Sequence, residues 1–96
     1  MDITIELSLE SPDGIIDCRL EPQRNDGTLF YNATILYPHI VNGYSRSEIY
    51  CHDIRFEPET GSYHFETGED GIHPKIRKLE AQISDAIISQ NKKPAL

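Results

Sequence analysis

The chain has 96 residues, nine Lys plus Arg against sixteen Asp plus Glu, and a formal net charge of −7. That length holds one hydrophobic core and not two, and 38% hydrophobic with 26% charged residues is an ordinary globular balance, which excludes disordered and collagen-like classes. The charge excludes general affinity for phosphate backbones or anionic membrane surfaces, and no apolar run approaches the ~18 residues of a membrane helix.

The first element is read from alternation. Ile3, Ile5, Leu7 and Leu9 fall on one side of residues 3–10, with Thr4, Glu6, Ser8 and Glu10 on the other. A period of two marks a half-buried antiparallel strand. Ser11-Pro12-Asp13-Gly14 is a turn, because Pro presets φ and Gly accepts positive φ. A second strand over 15–21 puts Ile16, Cys18 and Leu20 inward. A four-residue loop at 11–14 pairs Leu9 with Ile16, Leu7 with Cys18 and Ile5 with Leu20.

Gln23 to Gly27 is the next turn signal. A three-residue loop there would turn the third strand's apolar set outward, so face burial predicts a four-residue loop or a bulge instead. The third strand then carries Leu29, Tyr31, Ala33 and Ile35 inward. Asn42-Gly43 is the preferred pair of a two-residue type I′ hairpin. It sets Tyr31 opposite Ile54, Ala33 opposite His52 and Ile35 opposite Tyr50. Pro58 to Gly61 closes the last hairpin, with Phe56 facing Tyr63 and Ile54 facing Phe65.

After a break at Gly68-Glu69-Asp70-Gly71, Pro74 suits a first helical turn. Ile76, Leu79, Ile83, Ala86 and Ile87 form one apolar stripe at helical spacing. The sheet's apolar face is its natural partner. The sequence therefore predicts an α+β two-layer fold: a five-stranded antiparallel meander with one C-terminal helix on one face, a single domain over 1–91, and a short disordered tail at 92–96.

No catalytic or cofactor motif is present, neither Gly-rich phosphate loop, G-x-S-x-G, H-E-x-x-H nor paired C-x-x-C. The expectation is accordingly no cofactor and no enzyme. Asn32-Ala33-Thr34 matches a glycosylation sequon by chance. Cys18 and Cys51 fall on opposite faces and do not pair, and free thiols without a secretory signal favour a reducing, cytoplasmic setting. Cys51, Asp53, His64 and Glu66 share the outer face of strands four and five and are the candidate metal ligands or reactive set. Arg55 in their midst argues against a cation, as does the habit of charged residues to face outward on any half-exposed sheet. His52 reads as a partly buried core histidine, and His39 and His73 carry no pattern.

The functional expectation rests on geometry. With a four-residue loop after the second strand, Glu10, Ile15, Thr34, Cys51 and Gly68 share one level. Strands three and four outrun that level by seven residues, about 20 Å at ~3.3 Å per residue. This arm, residues 36–50, carries Tyr37, Ile40, Val41, Tyr44 and Ile49 as candidate partner-binding residues. It either projects to bind a protein partner or a second copy, or folds back over the helix N-terminus and the 68–73 loop. The reading is a small non-enzymatic protein-interaction module, with no direct nucleic-acid or membrane binding. The alternatives are an acidic inhibitor that mimics nucleic acid toward a basic partner, and a metal-binding or enzymatic site on the outer face of strands four and five.

Overall fold

A computed structural model describes residues 3–92. Five antiparallel strands run in chain order across one curled sheet: β1 (Ile5–Ser11), β2 (Gly14–Asn25), β3 (Thr28–Val41), β4 (Tyr44–Glu57) and β5 (Ser62–Phe65). A single 3₁₀ turn at Glu69–Gly71 leads to helices α1 (Pro74–Arg77) and α2 (Glu80–Lys92). The predicted α+β fold is present. Of the tail predicted at 92–96, Lys92 ends α2 and the rest lies outside the described residues.

Alternation assigns the faces as expected within the sheet, except that Ile3, which precedes β1, and Phe56, near the end of β4, are exposed. Ile16, Cys18, Leu20, Tyr31, Ala33, Ile35, Ile54, Tyr63 and Phe65 are buried beneath Ile76, Leu79, Ile83 and Ile87 from the helices. Ala86 of the predicted stripe is only half-buried. The β1–β2, β3–β4 and β4–β5 registers match the pairs read from the sequence, with Leu9↔Ile16, Ile35↔Tyr50 and Phe56↔Tyr63 among them. Asn42 and Gly43 take φ of 52° and 80°, the left-handed pair of a type I′ turn.

The β2–β3 hairpin departs from the expected loop. Asp26 and Gly27, at φ 52° and 78°, form a second two-residue type I′ turn, and the ladder starts at Asn25↔Thr28. The register is thereby four residues from the one a loop over 23–26 sets: Cys18 faces Ile35, and Thr34 faces Arg19 rather than Ile15. An even shift leaves every inward residue inward, so burial of the apolar face does not discriminate between the two registers. The turn does. One consequence is that the end of β2 reaches the Pro38 level, where a Cβ on Gly14 would stand 3.4 Å from Pro38 Cγ. The β3–β4 hairpin outruns the end of β2 by the three residues from His39 to Val41, roughly 10 Å, and not seven.

Two prolines sit inside strands without a ladder penalty. Pro22 faces Tyr31 beyond the last β1–β2 pair, Ile5↔Leu20, and Pro38 faces Ser47 beyond the last β2–β3 pair, Asp17↔Leu36. In each case the missing N–H falls where the neighbouring ladder has ended.

The helix expected as one piece is interrupted at Lys78-Leu79. The Leu79 N–H reaches Ile76 at 3.0 Å, an i−3 bond that tightens the chain before α2 resumes with Ile83 N–H to Leu79 at 2.9 Å. The kink lets Arg77 Nη1 meet Glu80 Oε2 at 2.9 Å while both flank the edge of β5.

Candidate functional site

The base of the β3–β4 hairpin is built into the domain. Tyr37 has its side chain on the inward side of β3 and is 5% exposed, so it belongs to the core and not to an accessible arm surface. Its hydroxyl donates to Asp13 Oδ2 at 3.0 Å, and Lys75 Nζ donates to the same oxygen at 3.1 Å while lying 5.4 Å from the Tyr37 ring centre. The Lys75 ammonium first, and the Tyr37 hydroxyl second, hold the Asp13 carboxyl below its usual range. Across the hairpin, the Tyr50 hydroxyl donates to Glu48 Oε2 at 2.7 Å, His39 Nε2 lies 3.6 Å from the same oxygen, and the His73 ring packs 6.0 Å from Tyr50. His73 also caps α1, accepting the Lys75 N–H on Nδ1 at 3.2 Å. The two histidines without a sequence pattern thus belong to the clamp between hairpin, β1–β2 turn and α1. Of the two fates open to the arm, the base follows the fold-back and the tip does not.

Beyond that clamp, and at Ile49 on its outer face, the apolar side chains face water. Ile40, Val41, Tyr44 and Ile49 are 73, 44, 75 and 66% exposed. Alternation divides them between two sides. Val41 and Tyr44 pair across the hairpin on the concave side, with Arg46 and Glu48 following. On the convex side β3 presents Thr34, Leu36, Pro38 and Ile40, and β4 presents Cys51, Ile49, Ser47 and Ser45 opposite them in the same order. None of these eight residues carries a charge. Lower on the same face, Asp53 accepts from Asn32 Nδ2 at 3.0 Å, and Arg55 lies 4.1 Å over the Phe30 ring while bonding Glu66.

The four candidate metal ligands are not brought together. Cys51 Sγ lies against Thr34 Oγ1 at 3.9 Å, Asp53 is held by Asn32, and Glu66 is neutralised by Arg55. His64 faces Arg55 as expected, but its ring turns around the edge of the sheet, 2.7 Å from Thr60 Oγ1 and 3.1 Å from Glu80 Oε1. Among the described residues, no group of three or more His, Cys, Asp or Glu is placed to hold a metal ion. His52 meets its expectation: it faces Ala33, packs edge-on to Phe65 with ring centres 5.8 Å apart, and bonds Thr67 Oγ1 at 3.4 Å. Burial, and then Arg77, lower its pKa.

Sequence reasoning missed the residues that close the β5 edge. The N–H groups of Tyr63 and Phe65 donate at 2.8 Å to Ser84 Oγ and Glu80 Oε2 of α2, and Arg77 Nη2 donates to the Thr67 carbonyl at 2.9 Å. A helix side chain thus takes the place of a sixth strand. The available signal was the spacing: Glu80 and Ser84, four apart, share one helix face beside Ile83 and Ile87.

No protein-family model matches the chain, nor does any curated protein or solved structure. Among the described residues no helix is long and apolar enough to cross a membrane.

Proposed function

We propose that this chain is a small non-enzymatic interaction module that engages a protein surface through the tip of its β3–β4 hairpin, residues 40–49. One observation carries the reading: four large apolar side chains stand exposed within ten residues, Ile40, Val41 and Tyr44 beyond the clamp that anchors the same two strands and Ile49 on the outer face at the clamp's own level. Scattered exposed apolar residues are normal on a soluble protein, but a cluster on a projecting element marks an interaction site. The firm base supports it further, because a tip held on a rigid stem loses little freedom on binding. The net charge of −7 weighs against nucleic acid or anionic lipid as the partner. Two free cysteines, one buried and one exposed, support a reducing, cytoplasmic setting.

The double variant Ile40→Ser/Tyr44→Ser tests the reading. Its denaturation midpoint should stay within about 0.5 kcal/mol of wild type, while association weakens by about 1–4 kcal/mol, the range of lost interface anchors. A stability loss of about 1–4 kcal/mol with unchanged association would instead make the tip part of the domain's own core and overturn it.

A further inference from the structure

We propose that the convex face of the β3–β4 hairpin is the contact surface of a reversible homodimer, with a second copy of this chain seated on Leu36, Ile40 and Ile49. The inference rests on the hairpin as the interacting element and names its partner.

Charge selects the occupant. The eight convex positions from Thr34 to Ile40 and Ser45 to Cys51 are all uncharged, whereas outward positions elsewhere on the sheet carry Glu6, Glu10, Asp17, Arg19, Glu21, Asp53, Arg55 and Glu57. A strongly charged partner would be met by opposite charges, and this face offers none. Two copies at −7 each repel wherever their acidic surfaces meet, so a self-contact is sustained where both faces are neutral. This face satisfies that condition for itself.

Shape agrees. The paired rows are Leu36↔Ile49, Pro38↔Ser47 and Ile40↔Ser45, with the larger side chain on β3 in the last two. A two-fold axis along the strands, between β3 and β4, lays the β3 column of one copy over the β4 column of the other. Ile40 then covers Ser45 and Pro38 covers Ser47, large over small as close packing requires, while Leu36 meets Ile49 as an apolar pair at the base of the contact. The sheets lie ~10 Å apart in such face-to-face contact. With Ile15 exposed at the margin, the contact removes on the order of 1,000 Å² from water in total, the low end for specific interfaces. The dimer therefore dissociates on dilution.

Light scattering of the wild-type chain from about 10 μM to about 1 mM, a span suited to a weak complex, should show the mass rise from 11.0 kDa toward twice that value. Ile49→Asp and the milder Ile49→Ser should hold the chain monomeric with an unchanged denaturation midpoint. Tyr44→Ser, on the concave side, should leave the mass curve as it is. A bis-maleimide with a spacer of about 10 Å should bridge Cys51 to Cys51 of the second copy, since the axis brings them near each other across the ~10 Å sheet spacing, and Cys51→Ser should abolish the bridge. A mass of 11.0 kDa at every concentration, or a dimer lost in Tyr44→Ser and kept in Ile49→Asp, overturns the proposal. Neither result touches the stability test of the hairpin tip, which fails or stands on the midpoint of Ile40→Ser/Tyr44→Ser.

Discussion

The backbone N–H of Phe65 donates at 2.8 Å to the carboxylate of Glu80, so a helix side chain completes the hydrogen bonding of an edge strand. Ser84 does the same for Tyr63 one turn further on, and Arg77 locks Glu80 from the other side at 2.9 Å. A β5 of four residues is too short to hold its place by ladder bonds alone. Its N–H groups are satisfied because α2 is there, and α2 is placed in turn by what β5 offers it.

Removing either acceptor strands a donor. Ser84→Ala leaves the Tyr63 N–H buried without a partner and should cost about 1–3 kcal/mol by chemical denaturation, with Glu80→Ala in the same range. Ala81→Ser, on the exposed side of the same helix, should change stability by less than about 0.5 kcal/mol. Amide hydrogen exchange at Tyr63 and Phe65 should speed up in the first two variants and not in the third.

The helix stripe carries a larger share. Leu79 and Ile83 are buried against the sheet, whereas Lys78 and Gln82 face solvent. Leu79→Ala and Ile83→Ala should each destabilise by roughly 2–4 kcal/mol through the cavity they leave. Lys78→Ala and Gln82→Ala should stay within about 0.5 kcal/mol. The reverse ranking would place another face of the helix on the sheet.

The two thiols should react at very different rates. Burial pushes the Cys18 thiol up to about 12, while Cys51 is exposed on the convex face. In the folded protein a maleimide or disulfide reagent at neutral pH should label Cys51 alone, and Cys18 only on denaturation. Equal rates would show that strand β2 does not keep Cys18 inward.

Two groups make stability fall in acid, in separate windows. Asp13 has its carboxyl lowered by Lys75 and Tyr37, so its stabilisation is complete above the usual carboxylate value of 3.8 and is lost as pH drops through the folded value below it. His52 is lowered by burial, so the unfolded chain takes up its proton first, and stability declines as pH falls below 6.5. Denaturation midpoints of Asp13→Asn and wild type should converge below about pH 4. His52→Gln should flatten the loss below about pH 6.5. An Asp13→Asn variant equal to wild type at pH 7 would remove the clamp from the account of stability.

Alternation alone shows which residues of β1 to β4 face inward, because side chains on a strand have a period of two and Ile5 to Leu9 or Tyr31 to Ile35 admit one reading. Asn42-Gly43 names its own turn because few pairs accept two positive φ angles. The candidate partner residues Ile40, Val41, Tyr44 and Ile49 were legible as large apolar side chains near a hairpin tip, and all four are exposed. What a period of two cannot distinguish is a register from its neighbour two or four residues away. The distance by which the hairpin outruns the sheet was therefore open until Asp26-Gly27 closed β2 on β3.

Tyr37 shows the same limit at one side chain. Its inward parity is plain in the sequence, yet burial also requires something beneath it, and Asp13 and Lys75, far apart in the chain, meet there only in the folded domain. Glu80 and Ser84 read as ordinary polar positions until β5 lies alongside them. Local periodicity and turn chemistry are properties of neighbouring residues, so the sequence by itself determined the faces, the strand order and the hairpin tip. Absolute register, the clamp at the hairpin base and the sealed edge of β5 depend on groups that chain topology brings together, and only the tertiary structure decided them.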